Sequence, residues 1–117
     1  MFPTLLIVDD EPSILSSLKG LLEDEGFEVM TAANGYECLK TIETEFPDLV
    51  LLDIWMPGID GIETLKEIKK NNPRLPVIMI SGHGNIETAV TATKYGAFNF
   101  IEKPLPDDRQ FLRGSAP

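Results

Sequence analysis

Short, almost wholly apolar runs alternate along this chain with longer stretches in which apolar residues recur every three or four positions. Residues 4–8, "TLLIV", form the first run, continuous as a strand buried on both faces would be. Ile14, Leu15, Leu18, Leu21 and Leu22 then follow at helical spacing, with Pro12 placed to open the helix and Gly26 to close it. Residues 28–31 read as a short strand, and 36–46 as a helix whose apolar face carries Cys38, Leu39, Ile42 and Phe46. A second strand over 48–52, apolar after its first residue, runs into Asp53. Ile62, Leu65 and Ile68 mark a third helix that begins after Gly61 and stops before "NNPRLP". Residues 77–80 form another buried strand, ending at Ser81. Asn85 can cap a helix from Ile86 to about Tyr95, and 98–101 supply a fifth strand. Strands starting near 4, 28, 48, 76 and 98, with helices between them, predict right-handed βαβ units around a parallel sheet: a doubly wound α/β domain. The helix from Ile86 has only Ile86, Val90 and Tyr95 as large apolar residues among alanines and threonines. It is therefore expected to be the most mobile element.

Composition narrows the classes of function. A length of 117 residues, 43% of them hydrophobic and 25% charged, suits one globular domain with one core. Ten basic against 19 acidic residues give a formal charge of −9, which repels a phosphate backbone and argues against direct nucleic-acid binding. The same charge attracts metal cations and basic protein surfaces. Cys38, the one cysteine, cannot form an internal disulfide, and on an apolar helical face it reads as packed core. No stretch approaches the ~20 apolar residues of a membrane span. The start, "MFPTLLIVDDE", lacks a basic segment and its apolar run is too short for a secretory signal, so a cytoplasmic location is expected.

Ligands of such sheets bind outside the carboxyl ends of the strands, where the winding reverses. Those ends carry Asp9, Asp10 and Glu11, then Asp53, then Ser81, then Glu102 and Lys103. Taken singly, each has an ordinary explanation. Paired acids cap helices, an aspartate before "MPG" forms a turn, a serine caps, and a lysine is a surface charge. Taken together, polar residues at the ends of adjacent apolar strands make a site. If Asp9, Asp10 and Asp53 converge, each pair repels by roughly 1 kcal/mol in water and about 4 kcal/mol at an intermediate dielectric. A hard divalent cation relieves this, and an incomplete all-oxygen set with room for water suits Mg²⁺. With the Lys103 ammonium the charges then nearly balance, leaving a site ready for an anion.

The set "VDDE" (8–11), "LLDIWMPGIDG" (51–61), "MISGHG" (79–84) and "FIEKP" (100–104) resembles the response-regulator receiver domain of two-component signalling, in the right order over residues 1–105. The stretch "ISGHGNIETAVTATKYGAFNFIEKPL" further resembles receivers of sigma-54-dependent activators of the nitrogen-regulation type. The resemblance implies a flavodoxin-like, five-stranded sheet in the order 2-1-3-4-5. It implies that Asp53 accepts a phosphoryl group from a sensor histidine kinase. Asp10, Asp53 and the backbone carbonyl of Trp55 would coordinate Mg²⁺, for which other divalent cations can substitute, with Asp9 acting through the ion or its waters. Lys103 would pair with the phosphoryl oxygens and Ser81 would donate its hydroxyl to them. Phe100 would change position with Ser81 as the switch, and Pro104 is a candidate for a cis peptide that aims Lys103. The output domain lies outside this chain on that reading, and the domain catalyses only its own phosphorylation and dephosphorylation. Pro57, Gly58 and Gly61 then serve to turn the chain so that a carbonyl faces the metal.

Trp55 could shape access to Asp53 and His83 could contact the phosphoryl site or a partner, although each also reads as an ordinary loop residue, and no metal-ligand partner is suitably spaced from His83. The departure from the family pattern is at the end. Residues 106–117, "PDDRQFLRGSAP" with the preceding leucine excluded, offer only part of a last helix, with Phe111 and Leu112 its large apolar residues. Either the chain stops early with foreign terminal residues or another chain covers the sheet there, which puts in question a homodimer through the usual surface of the fourth and fifth helices and strand 5. Three other readings compete. A Mg²⁺-dependent aspartate-nucleophile phosphatase carries D-x-D after its first strand, whereas here Asp53 follows the third and position 55 is Trp. A flavin carrier needs a phosphate-cradling loop where this chain has "DDEPS". A phosphorylation-independent interaction module has no use for the complete acid, serine and lysine set.

Overall fold

A computed structural model describes residues 3–56, 58–82 and 86–102. The elements run β1 (Thr4–Val8), α1 (Pro12–Asp24), β2 (Glu28–Ala32), α2 (Gly35–Glu45), β3 (Leu49–Asp53), α3 (Gly61–Asn71), β4 (Val77–Ser81), α4 (Ile86–Lys94) and β5 (Asn99–Glu102). All five strands are parallel, in the order β2-β1-β3-β4-β5. The expected architecture and strand order hold, with boundaries moved by a residue or so. The expected partial last helix, over 106–117, lies outside the described residues.

The continuous apolar strands serve two cores at once, because successive side chains point to opposite faces. Leu6, Val8, Val50, Leu52 and Met79 face one way, against Cys38 and Ile42 of α2 and Leu65 and Ile68 of α3. Leu5, Ile7, Leu51 and Ile80 face the other way, against Leu18 and Leu22 of α1. Cys38 is fully buried, and that burial pushes its thiol up to about 12, so it stays protonated and inert.

Helix α1 begins with Pro12 in its first turn, where no backbone donor is lost. It ends at Asp24 and is closed by Gly26, whose φ of 99° lets its own N–H donate to the Glu23 carbonyl while the Phe27 N–H donates to the Leu22 carbonyl. This paired closure reverses the chain into β2.

Two side-chain expectations fail. Phe46 does not share the buried face of α2; it is 77% exposed. The helix stops at Glu45 and Phe46 turns left-handed at φ 49°, which takes its side chain off the helical period. In α4, Ile86 and Val90 do not anchor the helix, being 84% and 61% exposed. The small Ala92 is its one buried residue, so α4 is attached through little apolar area. Amide hydrogen exchange in α4 should therefore run well ahead of that in α1, which buries Leu18 and Leu22. Equal protection in the two helices would contradict this.

Candidate functional site

Strands β1 and β3 lie side by side with Val8 opposite Leu52, so Asp9 and Asp53 emerge next to each other at one edge of the sheet. The Asp9 N–H donates to the Ala32 carbonyl at 3.1 Å, carrying the β1–β2 pairing one step past the strand. Its carboxylate Oδ1 accepts from the Glu11 N–H at 2.9 Å, a local turn that swings the chain toward α1. Asp10 is thereby left at the surface. One carboxylate oxygen from each of Asp9, Asp10 and Asp53 lies within 4.8 Å of the others. Asp9 and Asp53 are buried and Asp10 is exposed, so the cluster opens to solvent on one side only.

Three carboxylates this close cost several kcal/mol if all are ionised, at roughly 1 to 4 kcal/mol per pair. All three donors are hard oxygens, and the exposed side leaves room for water. That donor set fits a hard divalent cation and does not suit a soft, thiolate-seeking metal.

Ser81 is wholly buried at the end of β4, one residue past Ile80, the cross-strand neighbour of Asp53. The Ile54 N–H continues that pairing by donating to the Ile80 carbonyl at 3.0 Å. Phe100 on β5 sits opposite Met79, half-buried against the core beneath α2 and α3. Asp9, Asp10, Asp53 and Ser81 are thus brought to one end of neighbouring strands. Trp55, at 56% exposure, stands at the surface beside them. Pro57, His83, Asn85, Lys103 and Pro104 lie outside the described residues.

The support behind Asp53 was not read from the sequence in full. Gly61, the first residue of α3, donates its N–H to the Ile54 carbonyl at 2.8 Å and is packed so closely that a Cβ would meet the Asp53 carbonyl oxygen. Asp60 caps α3, its Oδ1 accepting from the Glu63 N–H at 2.9 Å, while the Thr64 hydroxyl donates to the Asp60 carbonyl at 2.8 Å. Gly35 at the start of α2 leaves space for Thr64 and Ile59. The acid at 60 with a glutamate three residues later is a capping pattern, and it could have located this helix start. The backbone contact between Gly61 and Asp53 has no such signal.

Comparison with known proteins agrees with this fold. A family model described as the response regulator receiver domain matches residues 5–113. The nitrogen assimilation regulatory protein NtrX of Azorhizobium caulinodans is 53% identical over 107 residues, covering 90% of this chain and 24% of that protein. The chain spans about a quarter of the length of the curated relatives it matches. Among solved structures, the receiver domain of NtrX from Brucella abortus superposes with a TM-score of 0.86 at 52% identity, covering 93% of this chain and 92% of that one. A CheY-like receiver domain protein from Methanospirillum hungatei superposes with a TM-score of 0.92 at 40% identity, covering 97% of this chain and 90% of that one.

Proposed function

This chain belongs to the response regulator receiver domain family, a family of signalling domains, and we propose that Asp53 is its phosphoacceptor. The observation that carries the reading is the meeting of three carboxylates within 4.8 Å at the carboxyl edge of the sheet, with one of them, Asp53, ending the central strand β3. The donor is a phosphohistidine of a sensor kinase. An Asp53 carboxylate oxygen attacks phosphorus in line, an O–P bond forms, the N–P bond breaks, and the electron pair leaves with the imidazole. Such a transfer needs positioning and charge stabilisation more than covalent machinery.

Asp10, Asp53 and the Trp55 carbonyl are the residues that would hold Mg²⁺, with Asp9 acting through the ion or its waters. When bound, the cation neutralises charge on the carboxylates and on the incoming phosphoryl oxygens. The Ser81 hydroxyl donates to a phosphoryl oxygen, and Lys103 supplies a fixed positive charge to the same group. Phosphorylation replaces one carboxylate charge by about −2. Ser81 is drawn toward that charge, and Phe100 moves into the space it leaves. A local electrostatic event thereby biases a two-state surface that includes β5 and α4.

Among the described residues no helix is long and apolar enough to cross a membrane. We place the protein in the cytoplasm, with the kinase as its input partner and an output domain, in the full-length polypeptide, that regulates transcription.

Trp55 is the one tryptophan, two residues from Asp53, and so reports on the site directly. Its fluorescence should change on adding Mg²⁺ and change again with beryllofluoride, a phosphoryl mimic. Incubation with a small phosphodonor should add a single phosphoryl group by mass spectrometry, and chelating the metal should prevent it. A chain that responds to neither ligand and takes up no phosphoryl group is an interaction module that works without phosphorylation.

A further inference from the structure

Beside the acidic cluster a cleft of about 310 Å³ opens between the loop after β3 and helices α3 and α4. Ile54 and Ile62 contribute apolar lining, Trp55 an indole, and Asp60 and Glu87 two carboxylates, with Thr91 on the α4 side. Its volume is at the small end of the roughly 300–1,000 Å³ typical of ligand pockets, which admits one long side chain and excludes a docked helix. Two carboxylates on a chain of net charge −9 disfavour a phosphate or nucleotide here and favour a cation.

A neighbouring contact shows what this combination takes. One helical turn on from Ile62 and Thr91 are Lys66 and Tyr95. There the Lys66 ammonium lies 4.4 Å from the centre of the Tyr95 ring and 3.1 Å from the Glu63 carboxylate. Aromatic ring, carboxylate and cation are all supplied by the chain. At the Trp55 end the aromatic and the carboxylates line the cleft, and among the described residues no lysine or arginine does. The Thr91 hydroxyl donates to the Glu87 backbone carbonyl at 2.9 Å, and Glu87 itself is exposed on α4.

We propose that this cleft binds an arginine side chain presented by a partner protein, its guanidinium stacked on Trp55 and paired with Glu87 and Asp60. Arginine fits better than lysine because its planar, weakly hydrated cation both stacks on an aromatic ring and presents a fork of donors to carboxylates. The apolar methylene stem rests on Ile54 and Ile62. This goes beyond phosphoryl transfer and does not depend on it, because every residue invoked is present in the unphosphorylated, metal-free chain.

The test is titration of that unphosphorylated, metal-free chain with acetyl-Ala-Arg-Ala-amide, followed by Trp55 fluorescence and by the amide resonances of Ile62 and Thr91. The peptides with lysine or citrulline in place of arginine are titrated in parallel. Saturable millimolar binding of the arginine peptide is expected, weaker binding of the lysine peptide, and none of citrulline, which keeps the shape and loses the charge. Glu87→Gln, on an exposed site of α4, should weaken binding about three- to fivefold, the scale of one partly exposed charge pair. Trp55→Leu, followed by the amide resonances alone, should weaken it at least as much. Equal binding of arginine and citrulline, equal binding of arginine and lysine, or an unchanged affinity in Glu87→Gln would each overturn the proposal, as would no saturable response at all.

Discussion

Asp53→Asn should abolish phosphorylation completely while leaving the circular dichroism spectrum of the folded chain unchanged. The amide matches the carboxylate in shape and has no charged oxygen to attack phosphorus, so the loss is one of nucleophilicity. The fold should persist because the substitution removes one of three carboxylates held within 4.8 Å of one another. Each pair repels by roughly 1 to 4 kcal/mol, depending on the effective dielectric. Without divalent cation, the unfolding midpoint should therefore stay level or rise. With cation, the increase in midpoint seen for the parent chain should shrink, because a ligand that binds only the folded state stabilises it in proportion to its occupancy. The checks are mass spectrometry after a small phosphodonor and thermal unfolding with and without Mg²⁺. A phosphoryl group still taken up by the Asn variant would move the acceptor role to Asp9 or Asp10.

Gly61→Ala should be the most destabilising single methyl that can be added near the site. Alanine ordinarily favours a helix over glycine by about 1 kcal/mol. Gly61, however, is buried, and its Cβ would meet the Asp53 carbonyl oxygen and the Ile54 Cα, backbone atoms at the end of a central strand that have no rotamer to change. Overpacking of this kind costs about 1–3 kcal/mol and sometimes more, and the rigidity of the neighbours places this case at about 3 kcal/mol. Relief would come by shifting Asp53 away from Asp9 and Asp10, so phosphorylation and cation binding should fall together with stability. Gly20→Ala is the internal control. Gly20 is exposed within α1 and nothing lies within 4 Å of an added Cβ. That change should stabilise the chain by about 0.5–1 kcal/mol through helix propensity alone. Chemical denaturation of both variants measures the contrast. A Gly61→Ala chain as stable as its parent would show that α3 can move off the β3 end without cost.

The strands were legible because their signal is local. Residues 5–8 and 49–52 are apolar at every position, which only a sheet covered on both faces requires, and the helices between them keep their apolar residues on one side. Helix ends were legible where one residue type has one backbone consequence, as with Pro12 and Gly26. Phe46 was misread for the complementary reason. Its spacing continues the apolar stripe of α2, but whether the helix lasts long enough to use it depends on a left-handed turn that hydrophobic period does not encode. Ile86 and Val90 likewise have the hydrophobicity of core residues, yet no element among the described residues buries them.

What the chain's order of residues determines by itself is which carboxylates, and which serine, reach the ends of strands, because a side chain's place along a strand is a matter of counting. Whether those ends meet is another kind of fact. Asp9 and Asp53 are far apart in sequence and become neighbours only because β3 pairs with β1 on the side opposite β2. The same packing lays α4 across from Trp55 and so creates a cleft between Asp60 and Glu87, two residues with no local pattern in common. Periodicity reports what each segment must bury; only the assembled sheet and helices decide what each segment is buried against, and therefore which charges are forced to share a site.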